Sequence, residues 1–148
     1  MANKNPRTMS LSLRVLARLL SYPDPVLRAH LDEMRQALRQ EAALQPARGA
    51  EVEALMHSIA AQSAIDAEAD YVQLFDSGRR TSLHLFEHVH GDSRDRGPAM
   101  IDLAQTFEAA GLYLAEGEMP DHLPVVLEYA STQPPREARA FLGEMVHI

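Results

Sequence analysis

Histidines and acidic residues are concentrated between residues 84 and 96, at spacings that could support metal chemistry. His84 and His88 are four residues apart, so they share a face if this segment is helical. Imidazole and carboxylate groups so arranged can bind a metal ion. The order H-x-x-E-H-x-H nevertheless differs from HExxH, in which the glutamate lies between the two metal ligands. In a metal-dependent enzyme, the candidate metal ligands would be His84, Glu87, His88, His90, Asp92 and, from farther along the chain, His122.

These histidines also have a structural interpretation. Their rings can cap helices or donate to backbone carbonyls, and neither role needs a metal. No second cluster of ligands is present in the sequence. We therefore expect no metal site and keep the metal-dependent enzyme as an alternative.

The loop at residues 92–96 combines two acids with two bases. Asp92 and Asp95 could act as catalytic acids beside phosphate-binding Arg94 and Arg96, or the four charges could neutralise one another and the adjacent helix ends. The chain has no Gly-x-Ser-x-Gly motif, no glycine-rich phosphate loop and no cysteine. These absences favour the structural interpretation and a protein that is not an enzyme, but they leave a binding role open.

A second group of polar residues lies between two prolines, Pro120 and Pro124. Asp121 is predicted to cap the helix that follows, a contact worth roughly 1 kcal/mol. His122 then falls in the first turn, where the helix dipole disfavours a positive ring, so we expect it to be neutral. The prolines would hold this carboxylate and imidazole rigidly and leave them available to a ligand.

The elements that must position these residues are predicted to be helices. The 148-residue chain is long enough for one domain, is 46% hydrophobic and only 5% aromatic, and has no strand-like alternation. Asp24 with Pro25 and Ser63 are start signals, and one helix is expected between Asp24 and Pro46. The prediction is an all-α, single-domain helical bundle at 10–148 that follows a flexible N-terminal tail at 1–9.

Further caps are predicted on both sides of the histidine-rich segment. Thr8 or Ser10 should cap the first helix and Ser82 the short helix at residues 84–89. Gly91 suits the left-handed residue that ends this short helix, and Pro98 suits the first position of the next helix. The predicted helices number eight.

The charge distribution limits the possible partners. The net charge is −7, and neither 49–78 nor 97–135 contains a Lys or Arg. Nucleic acid is therefore not expected, because it requires a basic surface, whereas a basic partner would suit these acidic stretches. The sequence also lacks an apolar run of the ~18 residues typical of a membrane span and has no signal peptide at its start. We expect a cytoplasmic protein without direct membrane insertion.

Two blocks of sequence resemble a known family. The run Tyr71–Leu103, with its EHVHGDSRDRG core, is similar to the NarJ branch of the TorD/DmsD/NarJ-type redox enzyme maturation proteins. Glu118 followed by Pro-Asp-His at 120–122 resembles the second hallmark of these chaperones, and LxxLLxYPD between Val15 and Asp24 fits as well. The resemblance covers most of residues 11–131.

The resemblance implies an all-helical, non-enzymatic cytoplasmic chaperone. Such a protein would bind the N-terminal peptide of the respiratory nitrate reductase alpha subunit and support molybdenum cofactor insertion before the enzyme docks at the membrane. The cofactor would be handled indirectly, through the client, and not bound tightly. The residues to which the resemblance points, followed by weaker additions of our own, are Glu118, Pro120, Asp121 and His122, then Tyr71, Phe75, Leu85, Phe86, Arg94 and Arg96.

The acidic composition agrees with this expectation. A peptide related to a twin-arginine signal would be basic and amphipathic, and a rigid, negatively biased cleft between helices would suit it. One departure from the family pattern stands out, since members usually continue for several more helices and this chain stops at Ile148. Apolar helix faces left uncovered could produce a homodimer. A self-associating helical interaction module is therefore a third possible function.

Overall fold

The computed structural model describes residues 7–148, and within that range the chain forms nine α-helices and no β-strand. The all-α prediction is therefore confirmed. The helices are α1 Ser10–Leu19, α2 Pro25–Ala29, α3 Leu31–Glu41, α4 Pro46–Ala61, α5 Ala64–Phe75, α6 Leu85–Val89, α7 Arg96–Ala109, α8 Leu123–Ser131 and α9 Pro135–Gly143.

Several predicted start and stop signals act as expected. The Asp24 carboxylate accepts a hydrogen bond from the backbone N–H of Leu27 at 2.8 Å, with a proline at the start of α2. Ser63 caps α5 through the backbone N–H of Asp66, at 3.2 Å. Gly91 and Gly111 adopt positive φ angles of 55° and 82° where α6 and α7 end, a conformation that glycine adopts without steric cost.

The stretch predicted as one helix between Asp24 and Pro46 is instead two helices. The backbone leaves helical geometry at His30, with φ −108° and ψ 8°, and the His30 Nδ1 atom lies 2.7 Å from the Val26 carbonyl oxygen. Helix α3 ends at Ala42, which has a left-handed φ of 51°, and Pro46 begins α4. Apolar periodicity continues across the break, so the sequence pattern alone does not reveal it.

Two other helix starts differ from the prediction. Helix α7 begins at Arg96, which places Pro98 at its third position and not at its first. At α1 the capping position belongs to Met9, whose side chain makes no capping hydrogen bond, and the Thr8 hydroxyl accepts from the backbone N–H of Ser10, the first residue of the helix, at 3.4 Å. The Met9 side chain packs against the core, whereas residues 1–6 of the predicted tail lie outside the described residues.

Helix α1 is the central element because it packs on both sides. Val15 and Leu19 face a core shared with α2, α3 and α4. Leu13 and Ala17 face a second core shared with α8 and α9. Helix α8 continues the arrangement, since Val126, which is fully buried, faces a third core that includes residues of α6 and α7. Each i, i+4 pair on α1 therefore serves a different neighbour.

Two side-chain contacts fix the ends of helices across this bundle. The Glu41 carboxylate, at the end of α3, accepts hydrogen bonds from the backbone N–H groups of Leu11 and Ser12, at 3.0 and 2.8 Å. The Arg28 guanidinium donates to the carbonyls of Ile59 and Gln62 at the end of α4, at 2.9 and 2.7 Å. Both satisfy backbone groups that have no partner within their own helix.

Among residues 7–148, no helix combines the length and the apolar character needed to cross a membrane.

We expect Glu41→Ala to lower the free energy of unfolding by about 1–2 kcal/mol, because it removes a cap from two N–H groups of the central helix. Urea unfolding followed by circular dichroism measures the change. The neighbouring exposed residue provides a control, Gln40→Ala, which should leave the midpoint almost unchanged. Equal effects of the two substitutions would show that Glu41 does not act as the cap of α1.

Candidate functional site

The two segments singled out in the sequence meet directly. His84 and His122 form an antiparallel β-bridge. The backbone N–H of Leu85 donates to the Asp121 carbonyl oxygen at 3.0 Å, and that of Leu123 donates to the Leu83 carbonyl oxygen at 2.8 Å. We call residues 83–86 together with 120–123 the His–Asp corner. Its two halves are distant in sequence, so the tertiary fold alone brings them together.

The Asp121 carboxylate is fully buried in this corner, with 0% of its residue surface exposed. Its Oδ2 atom accepts a hydrogen bond from the backbone N–H of Phe86 at 3.0 Å, and so it caps α6. The prediction that Asp121 caps the following helix, α8, is wrong. The capping position of α8 is His122, whose side chain makes no capping hydrogen bond.

The local chain explains why α8 does not need this carboxylate. The N–H of Leu123, its first residue, already donates to Leu83, and the second residue is Pro124, which has no N–H. In α6 the N–H of the first residue, Leu85, likewise has a backbone partner, but the second residue, Phe86, has an N–H that still needs an acceptor. Ser82, the predicted cap of α6, accepts from the N–H of His84 at 3.2 Å instead. Asp121 lies next to α8, but its carboxylate therefore caps the start of α6 on the other side of the corner.

The other carboxylate oxygen, Asp121 Oδ1, faces a pair of histidines. It is buried without a hydrogen-bond partner, and His84 Nδ1 lies 3.6 Å from it. The His84 ring stacks on the His122 ring with centroids 4.8 Å apart and an interplanar angle of 23°. The His84 side chain is 37% exposed, so this stack connects the buried carboxylate to the protein surface.

The surroundings of His122 favour its neutral form. Burial lowers its pKa below the usual value of 6.5, and the neighbouring His84 lowers it further, while Asp121, Asp76 and Glu118 act in the opposite direction. The expectation of a neutral His122 thus agrees with its environment. The leading cause is removal from water and not the helix dipole.

A groove opens beside the corner, between α1, α8 and the 112–118 connection. It consists of two adjoining hollows of about 480 and 360 Å³. His122 lines the larger hollow, and Glu118 lines both. The Glu118 carboxylate also accepts from the backbone N–H of Ala115 at 3.2 Å, which fixes the turn at this edge. We call this feature the α1–α8 groove.

The charge of the α1–α8 groove is mixed. Its ionised side chains are Arg14 and Arg18 from α1, Glu118 from the connection and Glu128 from α8. The expected negatively biased cleft is therefore not seen in this lining, because α1 supplies two cations that the acid-rich stretches of the sequence do not suggest. Apolar walls come from Phe107, Leu112, Leu114, Val125 and Tyr129.

Among the residues that line the groove, Glu118 and His122 were predicted site residues, whereas Arg14, Arg18, Val125 and Glu128 are examples of lining residues that were not. A signal for the first pair was present, since two arginines at i, i+4 form an exposed stripe on an otherwise apolar helix. Nothing in the sequence pairs that stripe with α8.

The other aromatic and apolar candidates have structural roles. The Tyr71 hydroxyl donates to the Leu20 carbonyl oxygen at 2.9 Å, at the end of α1, and its ring packs between Tyr22 and Phe75. Leu85 is part of the third core, against which the partly buried Phe86 packs. Pro120 is buried in the corner itself.

The charged loop after α6 is more exposed than the corner. Arg96 lies 3.9 Å from Glu87, an ion pair that connects the start of α7 to α6. Arg94 is exposed. Arg79 and Asp92 form a solvent-exposed pair at 3.4 Å, which contributes little to stability.

The histidines do not assemble a ligand set. His88 Nε2 lies 2.8 Å from the Ser82 carbonyl oxygen, and the His90 ring packs edge-on against Phe86. Throughout the described range, 7–148, no three His, Asp or Glu side chains are grouped so as to hold a metal ion. The geometry thus gives the metal-dependent alternative no supporting observation.

Comparison with known proteins connects this arrangement to one family. Residues 24–144 match the family model described as nitrate reductase delta subunit. The nitrate reductase molybdenum cofactor assembly chaperone NarJ of Escherichia coli (strain K12) is 44% identical over 138 residues, which are 93% of this chain and 58% of that protein. The protein named "probable nitrate reductase molybdenum cofactor assembly chaperone NarJ" in Bacillus subtilis (strain 168) is 33% identical over 139 residues, 92% of this chain and 73% of that protein.

A solved structure has the same fold. The crystal structure of a candidate redox enzyme maturation protein from Archaeoglobus fulgidus superposes with a TM-score of 0.64, covering 98% of this chain and 85% of that one. The two sequences are only 20% identical, so this similarity concerns the fold alone.

The lowered pKa of His122 predicts a pH-dependent stability. As pH falls below about 6.5, an unfolded histidine takes up a proton that folded His122 resists, so the free energy of unfolding should decrease on acidification. His122→Gln should reduce this decrease. Urea midpoints between about pH 8 and pH 5.5 measure it, with His147→Gln at the exposed C-terminal end as the control. Identical pH profiles for His122→Gln and the unsubstituted protein would contradict the assignment.

Proposed function

The chain belongs to the nitrate reductase delta subunit family, and on that premise we propose that it is an assembly chaperone for a respiratory nitrate reductase. The NarJ-type resemblance of the two sequence blocks is confirmed by this membership. The chain spans 58% of the length of the E. coli relative. In the proposed role the protein is not an enzyme: it acts in the cytoplasm, holds an immature client and performs no chemistry on it.

The client contact that we propose is the N-terminal peptide of the nitrate reductase alpha subunit, bound in the α1–α8 groove. The observation that supports this most strongly is the position of the His–Asp corner. The partly buried His122 of this corner is a wall of the groove, and Glu118 lies along the same wall. The second hallmark block thus lines this concave surface directly, and the first block lies behind it through the bridge of His84 to His122, as expected of a site that a ligand uses.

The lining of the groove suits an amphipathic segment. Apolar side chains such as Val125 and Tyr129 would contact the apolar face of the peptide, and Glu118 and Glu128 would contact its basic groups. Arg14 and Arg18 would select against purely basic sequences. They would favour a peptide that also carries an acid or a carbonyl at a position facing these two arginines. Mixed charge of this kind contributes more to specificity than to affinity.

The predicted site residues have different roles in this proposal. Glu118 and His122 contact the peptide, and buried Pro120 and Asp121 shape the wall behind them. Tyr71, Phe75, Phe86, Arg94 and Arg96 lie outside the groove lining and would contact other parts of the client, while Leu85 supports the core beneath. The molybdenum cofactor is handled through the client and needs no pocket of its own.

We expect Glu118→Gln to weaken binding of a synthetic peptide with the alpha-subunit N-terminal sequence by roughly two- to fivefold, as for loss of one exposed ion pair. The amide keeps the acceptor for the Ala115 N–H, so the turn should persist. Isothermal titration calorimetry measures the dissociation constant. Glu116→Gln, which changes an exposed acid two residues away that does not line the groove, is the matched control.

If both glutamate variants lose affinity equally, net charge and not the groove governs binding. If the unsubstituted protein binds no such peptide, the proposed client contact is wrong.

Self-association is a second candidate role, favoured by the exposed apolar residues of α5. Ile65, Val72 and Leu74 are 77%, 43% and 52% exposed, an unusual concentration of apolar residues on one short helix. Light scattering over a wide concentration range should then detect homodimers that Ile65→Glu abolishes. A mass that stays monomeric at every concentration would rule this role out.

A further inference from the structure

One oxygen of the Asp121 carboxylate has no role in the contacts described above. Oδ2 has a clear function, because it caps α6 through the Phe86 N–H at 3.0 Å. Oδ1 is equally buried but has no hydrogen-bond donor, and the whole residue is 0% exposed. A buried carboxylate oxygen without a donor is costly and calls for an explanation.

We propose that Asp121 is a positioning residue that holds the His84 ring in its Nδ1–H form and thereby leaves His84 Nε2 as a hydrogen-bond acceptor for the client. The inference rests on the proposed function for the identity of the client. Asp121 itself touches no ligand, and the recognising atom belongs to His84.

The geometry of the corner leaves few alternatives for the ring. His84 Nδ1 lies 3.6 Å from Asp121 Oδ1, so a small movement would form a hydrogen bond. Two flanking backbone hydrogen bonds hold the His84 ring beside the Asp121 carboxylate. They run from the Leu85 N–H to the Asp121 carbonyl oxygen and from the Leu123 N–H to the Leu83 carbonyl oxygen. The stack on His122 limits rotation of the ring.

The form of the ring follows from its partner. In a neutral imidazole, the hydrogen bond made by one ring nitrogen determines which of the two nitrogens carries the proton. A carboxylate accepts and never donates, so the Nδ1 that faces it must carry the proton, and Nε2 on the far side of a neutral ring is then a bare acceptor. The His84 side chain is 37% exposed, so a partner can reach the ring from the surface.

The chemistry of the ligand group follows in turn. In its Nδ1–H form the His84 ring accepts at Nε2 from an N–H donor, either a backbone amide or the ammonium or guanidinium of a basic side chain. Such donors are abundant in the basic, amphipathic peptide of the proposed function.

Asp121→Asn separates the two roles of this carboxylate. The Phe86 N–H can be satisfied only by the amide oxygen, so the amide NH₂ must occupy the position of Oδ1 and face His84 Nδ1. A donor there requires Nδ1 to be the acceptor, which moves the His84 proton to Nε2. The variant therefore keeps the hydrogen bond that caps α6, but it turns His84 Nε2 from an acceptor into a donor.

The experiment is ¹⁵N-detected NMR of the histidine rings at about pH 8.5, where imidazoles of ordinary pKa are neutral. It is combined with calorimetry of the alpha-subunit N-terminal peptide. We expect Nδ1–H at His84 in the unsubstituted protein, Nε2–H in Asp121→Asn, and affinity about five- to tenfold weaker in the variant, as for loss of one hydrogen bond. Asp102→Asn, which changes an exposed aspartate on α7, should alter neither.

A double-substitution test makes the attribution specific. His84→Ala should weaken binding by a similar factor, and adding Asp121→Asn to it should produce no further loss, because both act through the same atom.

The other possible results of these experiments each test one part of the proposal. An Nε2–H ring at His84 in the unsubstituted protein overturns the proposal whether or not the variant folds. An inverted ring with unchanged affinity, or additive losses in the double variant, also overturns it. If the ring has the predicted form but no peptide binds, the proposed function fails, and with it the client role of His84, while the positioning of the ring by Asp121 is upheld.

Discussion

The buried Asp121 carboxylate joins the two halves of the candidate site. One oxygen caps α6, and the other faces the histidine that stacks on the groove wall. Burying a carboxyl group is costly unless it is hydrogen-bonded, and the Phe86 N–H is the donor that the fold provides for it. The positions of α6, the start of α8 and the edge of the α1–α8 groove therefore depend on this one contact and on the two backbone hydrogen bonds that flank it.

The same bundle that stabilises the fold also presents the groove. Helix α1 uses Val15 and Leu19 against α2–α4 and Leu13 and Ala17 against α8 and α9, which leaves its arginines on the remaining face. Helix α8 likewise divides its residues between the second and third cores and the groove wall. Because both walls are anchored on two sides, the groove should be largely preformed, which lowers the entropic cost of binding a peptide.

Sequence reasoning succeeded where the determining contacts are local. Asp24 and Ser63 cap the next helix turn, and Gly91 adopts the conformation its neighbours require, so short windows predict them. It failed at Asp121, where the same local rule predicts a cap of α8 and a long-range partner takes the carboxylate instead. The contact between the two blocks joins residues that are far apart in the sequence, so no short window predicts it. The participation of Arg14 and Arg18 depends on α1 packing beside α8, which no local pattern encodes.

The most direct test of the proposed site is an amide NMR titration of the full chain with the synthetic alpha-subunit N-terminal peptide. We expect saturable shift changes concentrated at residues 14–21, 112–118 and 122–129, the three walls of the α1–α8 groove. Saturating peptide that leaves these three stretches unperturbed, with the changes confined to α4 and α5, would contradict the assignment of the groove as the client site.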